Sequence, residues 1–234
     1  MTKLAALLLL CVSSVALAEN HDPLRFELQA GACKYQLAPE GSWWYEGYQT
    51  DVKLTVPCHQ VGISWLPVKR GTWRFGVRGS YVDLGEVKAN NDFPAVEDGS
   101  QNDHRVNPAG PVGSYSGSGG AWGWTLGPVA EWSTGRWTVS GELGAAYLWT
   151  WWHVTQASID GVPININWRY ADGYKWTSYL GLGAHYSIDK AWRVDLSLRR
   201  YSQVHASQAE VNSEYIGIFS GPVYSLMLGA SYAF

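Results

Sequence analysis

Along the chain from Phe26, apolar side chains return at every second position. Phe26, Leu28, Ala30 and Ala32 share one parity, and Glu27, Gln29, Gly31 and Cys33 the other. The clearest run is Thr72 to Leu84, where Trp73, Phe75, Val77 and Tyr81 alternate with Arg74, Gly76, Arg78 and Ser80. A period of two marks a strand whose faces meet different media. The pattern recurs in the segments led by Trp122, Trp137, Trp176, Trp192 and Tyr224. One segment, Asp51 to Leu66, changes parity. Val52, Leu54 and Val56 are apolar in its first half, and Val61, Ile63 and Trp65 in its second. Pro57 lies between, which predicts a bulge that swaps the faces.

Eight strands result, and their connections alternate in length. Pro67 to Gly71, Ser133 to Arg136 and Asp189 to Ala191 read as tight turns. Trp43 to Thr50, Glu86 to Gly120, Trp152 to Gly173 and Ser202 to Pro222 read as long loops. Short turns at one end and long loops at the other predict an all-β fold: an eight-stranded antiparallel transmembrane β-barrel with short periplasmic turns and long extracellular loops. Ile159-Asp160-Gly161-Val162 is a hairpin signal that carries the fifth and sixth strands well above the bilayer. The Glu86 to Gly120 loop reads as mobile. Its Asp92, Glu97, Asp98 and Asp103 lack the spacing of a calcium loop, so solvation is preferred to cation binding.

Composition sharpens this picture. The chain holds 14 Trp and 14 Tyr against five Phe. Trp and Tyr pair an apolar body with a polar handle and gather at membrane–water boundaries. Trp65 with Trp73, Trp132 with Trp137, and Ile188 with Trp192 bracket the tight turns as one belt. Tyr81, Trp122, Trp149 and Trp176 form the second. The formal charge of −3 gives no reason to expect a nucleic-acid partner. No metal or cofactor is expected.

Lys3, the apolar run Leu4 to Val15 and Ala16-Leu17-Ala18 have the order of a secretory signal peptide. Residues 1–18 are therefore assigned to the signal peptide and 19–234 to the barrel. Cys33 and Cys58 then reside in an oxidising compartment, where a cross-strand disulfide closing the first hairpin is expected. Glu27, Arg74, Arg78, Glu131, Glu142, Arg193, Asp195 and Arg199 take the inward parity. Eight strands enclose a bore that side chains fill, so these charges are read as a structural ion-pair network.

The last strand runs Leu226, Leu228, Ala230, Tyr232 and Phe234 on one parity. With the signal peptide, it resembles bacterial outer-membrane β-barrels as a group. The resemblance implies a bacterial outer-membrane location, lipid and lipopolysaccharide contact, and recognition of the C-terminal strand by the barrel-assembly machinery. In pattern the chain is similar to the small OmpA, OmpX and Ail/Lom barrels. These imply a non-enzymatic surface protein acting in envelope integrity or adhesion through its loops. Trp43, Trp44, Tyr45, Trp151, Trp152 and Trp168 are the loop aromatics placed to bind a surface ligand.

Two alternatives are carried. Arg200-Tyr201-Ser202 with Glu214 resembles the lipid A 3-O-deacylases, whose barrels carry a His-x-Ser pair and a later Glu. Ser202, His205 and Glu214 would be its catalytic set, but Arg200 stands where the base belongs and does not deprotonate. The other alternative is a narrow OmpW-like pore for small solutes, which needs a cavity or a lateral opening.

Overall fold

The computed structural model describes residues 24–36, 50–94, 112–159, 162–164, 168–205 and 220–234. The expected signal peptide lies outside these residues. Strands are β1 (Leu24–Lys34), β2 (Thr50–Lys53), β3 (Thr55–Arg70), β4 (Trp73–Pro94), β5 (Val112–Thr134), β6 (Trp137–Ile159), β7 (Val162–Ile164), β8 (Trp168–Ser187), β9 (Trp192–His205) and β10 (Ser220–Ala233). Eight of them close an antiparallel ring, in the order β3, β1, β10, β9, β8, β6, β5, β4, with β4 returning to β3. Strand β2 continues along β4, and β7 pairs with the far end of β6.

The tight turns fall where expected but are shorter. Arg70 pairs with Trp73 and Thr134 with Trp137, leaving two residues between. Gly71 and Gly135 adopt φ of 60° and 59° there, which a residue with a Cβ rarely tolerates. In the third turn the Asp189 carboxylate accepts the N–H groups of Ala191 and Trp192 at 2.8 and 2.7 Å. These two bonds hold its carboxyl below the usual range.

Side chains on the ring are sorted opposite to those of a water-soluble sheet. Leu28, Leu126, Leu182, Leu228 and Trp176 point outward and are 56–72% exposed, while Glu27, Arg78, Glu131, Asp195 and Arg199 are at most 3% exposed. Such a wall is stable only against hydrocarbon, and closure leaves no sheet edge facing lipid. The protein is thus a transmembrane β-barrel of the outer-membrane kind.

The structure corrects the sequence reading in two places. No bulge lies at Pro57: β1 pairs with β3 without a shift from Thr55 to Trp65, and Val56, Cys58 and Gln60 all face the lumen. The shift on β3 falls between Trp65 and Val68. Parity changes because the lumen's contents change from polar to apolar with height. Second, the Glu86 to Gly120 loop is largely strand, since Glu86 to Pro94 pairs with Val112 to Gly120. Asp92 sits in that ladder; Glu97, Asp98 and Asp103 lie outside the described residues. The expected Cys33–Cys58 disulfide forms. Gly31 faces Cys58 and Cys33 faces Val56, so the bridge is diagonal. The hairpin at Ile159 and Val162 forms as expected.

Candidate functional site

The lower lumen is ionic. Arg78 is the hub, reaching Glu27 at 3.1 Å, Glu142 at 2.9 Å and Glu131 at 3.8 Å. Arg193 bonds Glu131 at 3.1 Å and Asp195 at 2.9 Å. Arg199 closes on Glu142 and on the Gln60 amide oxygen. Arg25 reaches Glu131 at 2.8 Å from the lower rim. Four arginines (Arg25, Arg78, Arg193, Arg199) thus meet four carboxylates (Glu27, Glu131, Glu142, Asp195). Balance is required here, because an unmatched buried charge is costly. Arg74 takes the inward parity as expected but is half-buried, opposite Glu131 in register.

Within this network Ser140, His185 and Asp195 stand in line. Ser140 Oγ lies 2.8 Å from His185 Nε2, and His185 Nδ1 lies 2.6 Å from Asp195 Oδ1. That is the connectivity of nucleophile, base and orienting carboxylate. Hydrolysis also needs room for a substrate. Ser140 and His185 are each 2% exposed and Asp195 is fully covered. A Cβ at Gly183 would lie 2.4 Å from Ser140 Oγ and 2.8 Å from His185 Nε2. The space a substrate would need beside the hydroxyl on that side is already taken by backbone. Sequence inspection missed the trio. His185 faces Asp195 across β8 and β9, and Ser140 is diagonal to His185 across β6 and β8. Only the register reveals this.

The upper lumen is apolar. Tyr35, Leu84, Leu148, Trp152, Tyr179, Tyr201 and Met227 are at most 2% exposed. Cys33 and Cys58 are disulfide-bonded in the same cluster. Trp152, expected among the ligand-binding loop aromatics, is instead this plug's largest member. Its ring covers Gly117 and Gly119, where an added Cβ would come within 2.6 and 2.4 Å of it. Trp151 is half-buried with the opposite parity. Trp168 lies in β8 paired with Val154, and Trp43, Trp44 and Tyr45 lie outside the described residues.

Of the alternative catalytic set, Ser202 is half-buried and receives a hydrogen bond from Ser178 Oγ at 2.8 Å. His205 ends β9, paired with Ser220. Glu214 is outside the described residues. Ser202 lies at an irregularity: Tyr201 pairs with Val223 but Val204 with Gly221. The extra residue returns Val204 to the buried side, at 2% exposure.

Two aromatic girdles flank the outer wall. Trp65, Trp73, Trp132, Trp137 and Trp192 mark the lower one. In the upper one Tyr81, Trp122, Trp149, Tyr174, Tyr147 and Trp176 form a chain of ring contacts 4.6–6.4 Å apart.

No family model and no curated protein matches the chain. Among solved structures, the chain is similar to Ail, the attachment invasion locus protein of Yersinia pestis, solved with the heparin analogue sucrose octasulfate. That match has 15% identity and a TM-score of 0.41, covering 90% of this chain and 99% of that one. It is also similar to the outer membrane protease OmpT of Escherichia coli (11%, TM-score 0.48, 94% and 100%). A third is Neisserial surface protein A (10%, TM-score 0.42, 92% and 100%).

Proposed function

We propose that this barrel is a non-enzymatic surface protein of the bacterial outer membrane, acting in adhesion or envelope integrity through the strands and loops it raises above the bilayer. The supporting observation is the filled lumen: ionic below, apolar above, with its large side chains buried throughout. Such an interior holds shape and leaves activity to the outside. Strands of 22 and 23 residues (β4, β5, β6) are about twice what a bilayer needs. The surplus is a rigid stalk that presents the connections. Contact with lipopolysaccharide along the wall, and handling of the last strand by the assembly machinery, belong to the same reading.

Binding of the purified barrel to host and bacterial surfaces tests it. Replacement of Trp43, Trp44, Tyr45, Trp151 and Trp168 by alanine, in sets, should weaken binding while the heat-modifiable gel shift persists. Undiminished binding of all sets would remove the aromatic loops from the reading. A changed lipid A acylation pattern in cells making the protein would replace it with the deacylase alternative.

A further inference from the structure

The ladders of the ring have gaps, and one of them opens between β8 and β9. Strands β8 and β9 pair from Ser187 and Arg193 up to Tyr179 and Tyr201, and there the ladder stops. Both strands continue, β8 toward Trp168 and β9 to His205. The opening is bridged by a hydrogen bond from Ser178 Oγ to Ser202 Oγ at 2.8 Å and one from the Gln203 backbone N–H to Thr177 Oγ1 at 3.0 Å. The irregularity at Ser202 and Gln203 turns β9 away. Behind it is a niche of about 70 Å³, lined by Leu148, Thr150, Lys175, Trp176, Thr177, Gln203 and Val204.

Its height is set by the wall beneath. Directly below lie Leu180 and Leu182 on β8 and Leu196 and Leu198 on β9, 47–65% exposed. Arg200, which pairs with Leu180, is the first polar position above them on β9, followed by Ser178 and Ser202, and Trp176 of the upper girdle, 72% exposed, stands at the mouth. An unladdered seam cannot face hydrocarbon, because its backbone groups need polar partners. At the headgroup level a lipid can supply them.

The described lining favours an anionic partner. It brings one ammonium group, two threonine hydroxyls and an amide, and among the described residues no carboxylate. Thr150 is 3% exposed and its hydroxyl has no hydrogen-bond partner among the described residues. The volume equals about two waters' worth of space, room for two oxygens of a phosphate with the remainder outside. We infer that the β8–β9 seam is a binding site for the phosphate of an outer-leaflet lipid, whose acyl chains lie on the leucines below. This rests on the lipopolysaccharide contact of the proposed reading and does not depend on binding to host or bacterial surfaces.

Native mass spectrometry of the detergent-solubilised barrel tests it, with lipid A as probe. Wild type should retain one lipid A, and dephosphorylated lipid A should bind at least about tenfold more weakly, as should lipid A to Lys175→Gln. Lys69→Gln, at the lower turn, removes the same charge and should leave binding unchanged. Thr150→Val should raise the lipid-free thermal midpoint by about 2 °C and shrink the further rise that lipid A gives. It serves as the second variant if Lys175→Gln loses its heat-modifiable shift. Equal binding of the dephosphorylated lipid, equal loss in the Lys69 and Lys175 variants, or displacement by inorganic phosphate at equal concentration would each overturn the assignment.

Discussion

Replacing Arg78 by methionine isolates what the lower lumen does. The guanidinium touches Glu27, Glu142 and Glu131, and its side chain is 4% exposed. Methionine fits the same space but leaves four carboxylates facing three arginines. Removing one partner of a buried charge pair costs about 3–5 kcal/mol, because the surplus charge stays uncompensated. That lowers the folded-to-unfolded ratio by about two to four orders of magnitude. Adding Glu27→Gln restores the balance, and its amide oxygen can still accept from Ser64 as Glu27 does at 2.9 Å. The double variant should recover most of the loss. Urea unfolding in lipid vesicles, followed by tryptophan emission and by the gel shift, measures both. If Arg78→Met cost under about 1 kcal/mol, or the second change added to the first, the lumen would be water-filled and screened, and the packed interior proposed here would be wrong.

Three further outcomes are expected. Cys33→Ser with Cys58→Ser should lower stability by about 3.5 kcal/mol, the chain-entropy value for a bridge spanning 25 residues, read as an earlier urea midpoint. Trp152→Ala should cost about 3–5 kcal/mol and open space under Gly117 and Gly119, while binding to surfaces persists, since the ring is buried. The Asp189 carboxyl is held below its ordinary value by the amides of Ala191 and Trp192. A lowered folded value means its contribution is complete above the ordinary value and fades as pH falls through the folded one. Hydrogen exchange at those two amides should therefore gain protection as pH rises through the acid range, after correction for intrinsic rates, and Asp189→Asn should flatten that dependence.

The fold was legible because each strand separates two media, so period two is written in strong contrast. Parity also placed Glu27, Arg78, Glu131, Glu142, Arg193, Asp195 and Arg199 inside. Above the bilayer the contrast reverses. There the outside meets water at Lys53, Thr55, Glu86 and Lys88, and the inside is Val56, Leu84, Val87 and Tyr35. Val52, Leu54 and Val56 look like a face swap, yet the backbone runs straight and the surroundings invert. Trp151 and Trp152 are both aromatic, so composition alone does not tell which one enters the plug. The seam was illegible for another reason. It depends on where a ladder ends, and nothing in the alternation of β8 or β9 announces that.

Every strand of the ring gives at least one side chain to the lower network, from Arg25 and Glu27 on β1 to Ser231 on β10. Its bonds join residues 168 apart (Ser197 and Gln29) and 139 apart (Arg199 and Gln60). A half-zipped arc in lipid would present charged groups with missing partners along an open edge. Closure is therefore all-or-none: intermediates are penalised until the final hairpin seats, and insertion should proceed slowly, in a single concerted step.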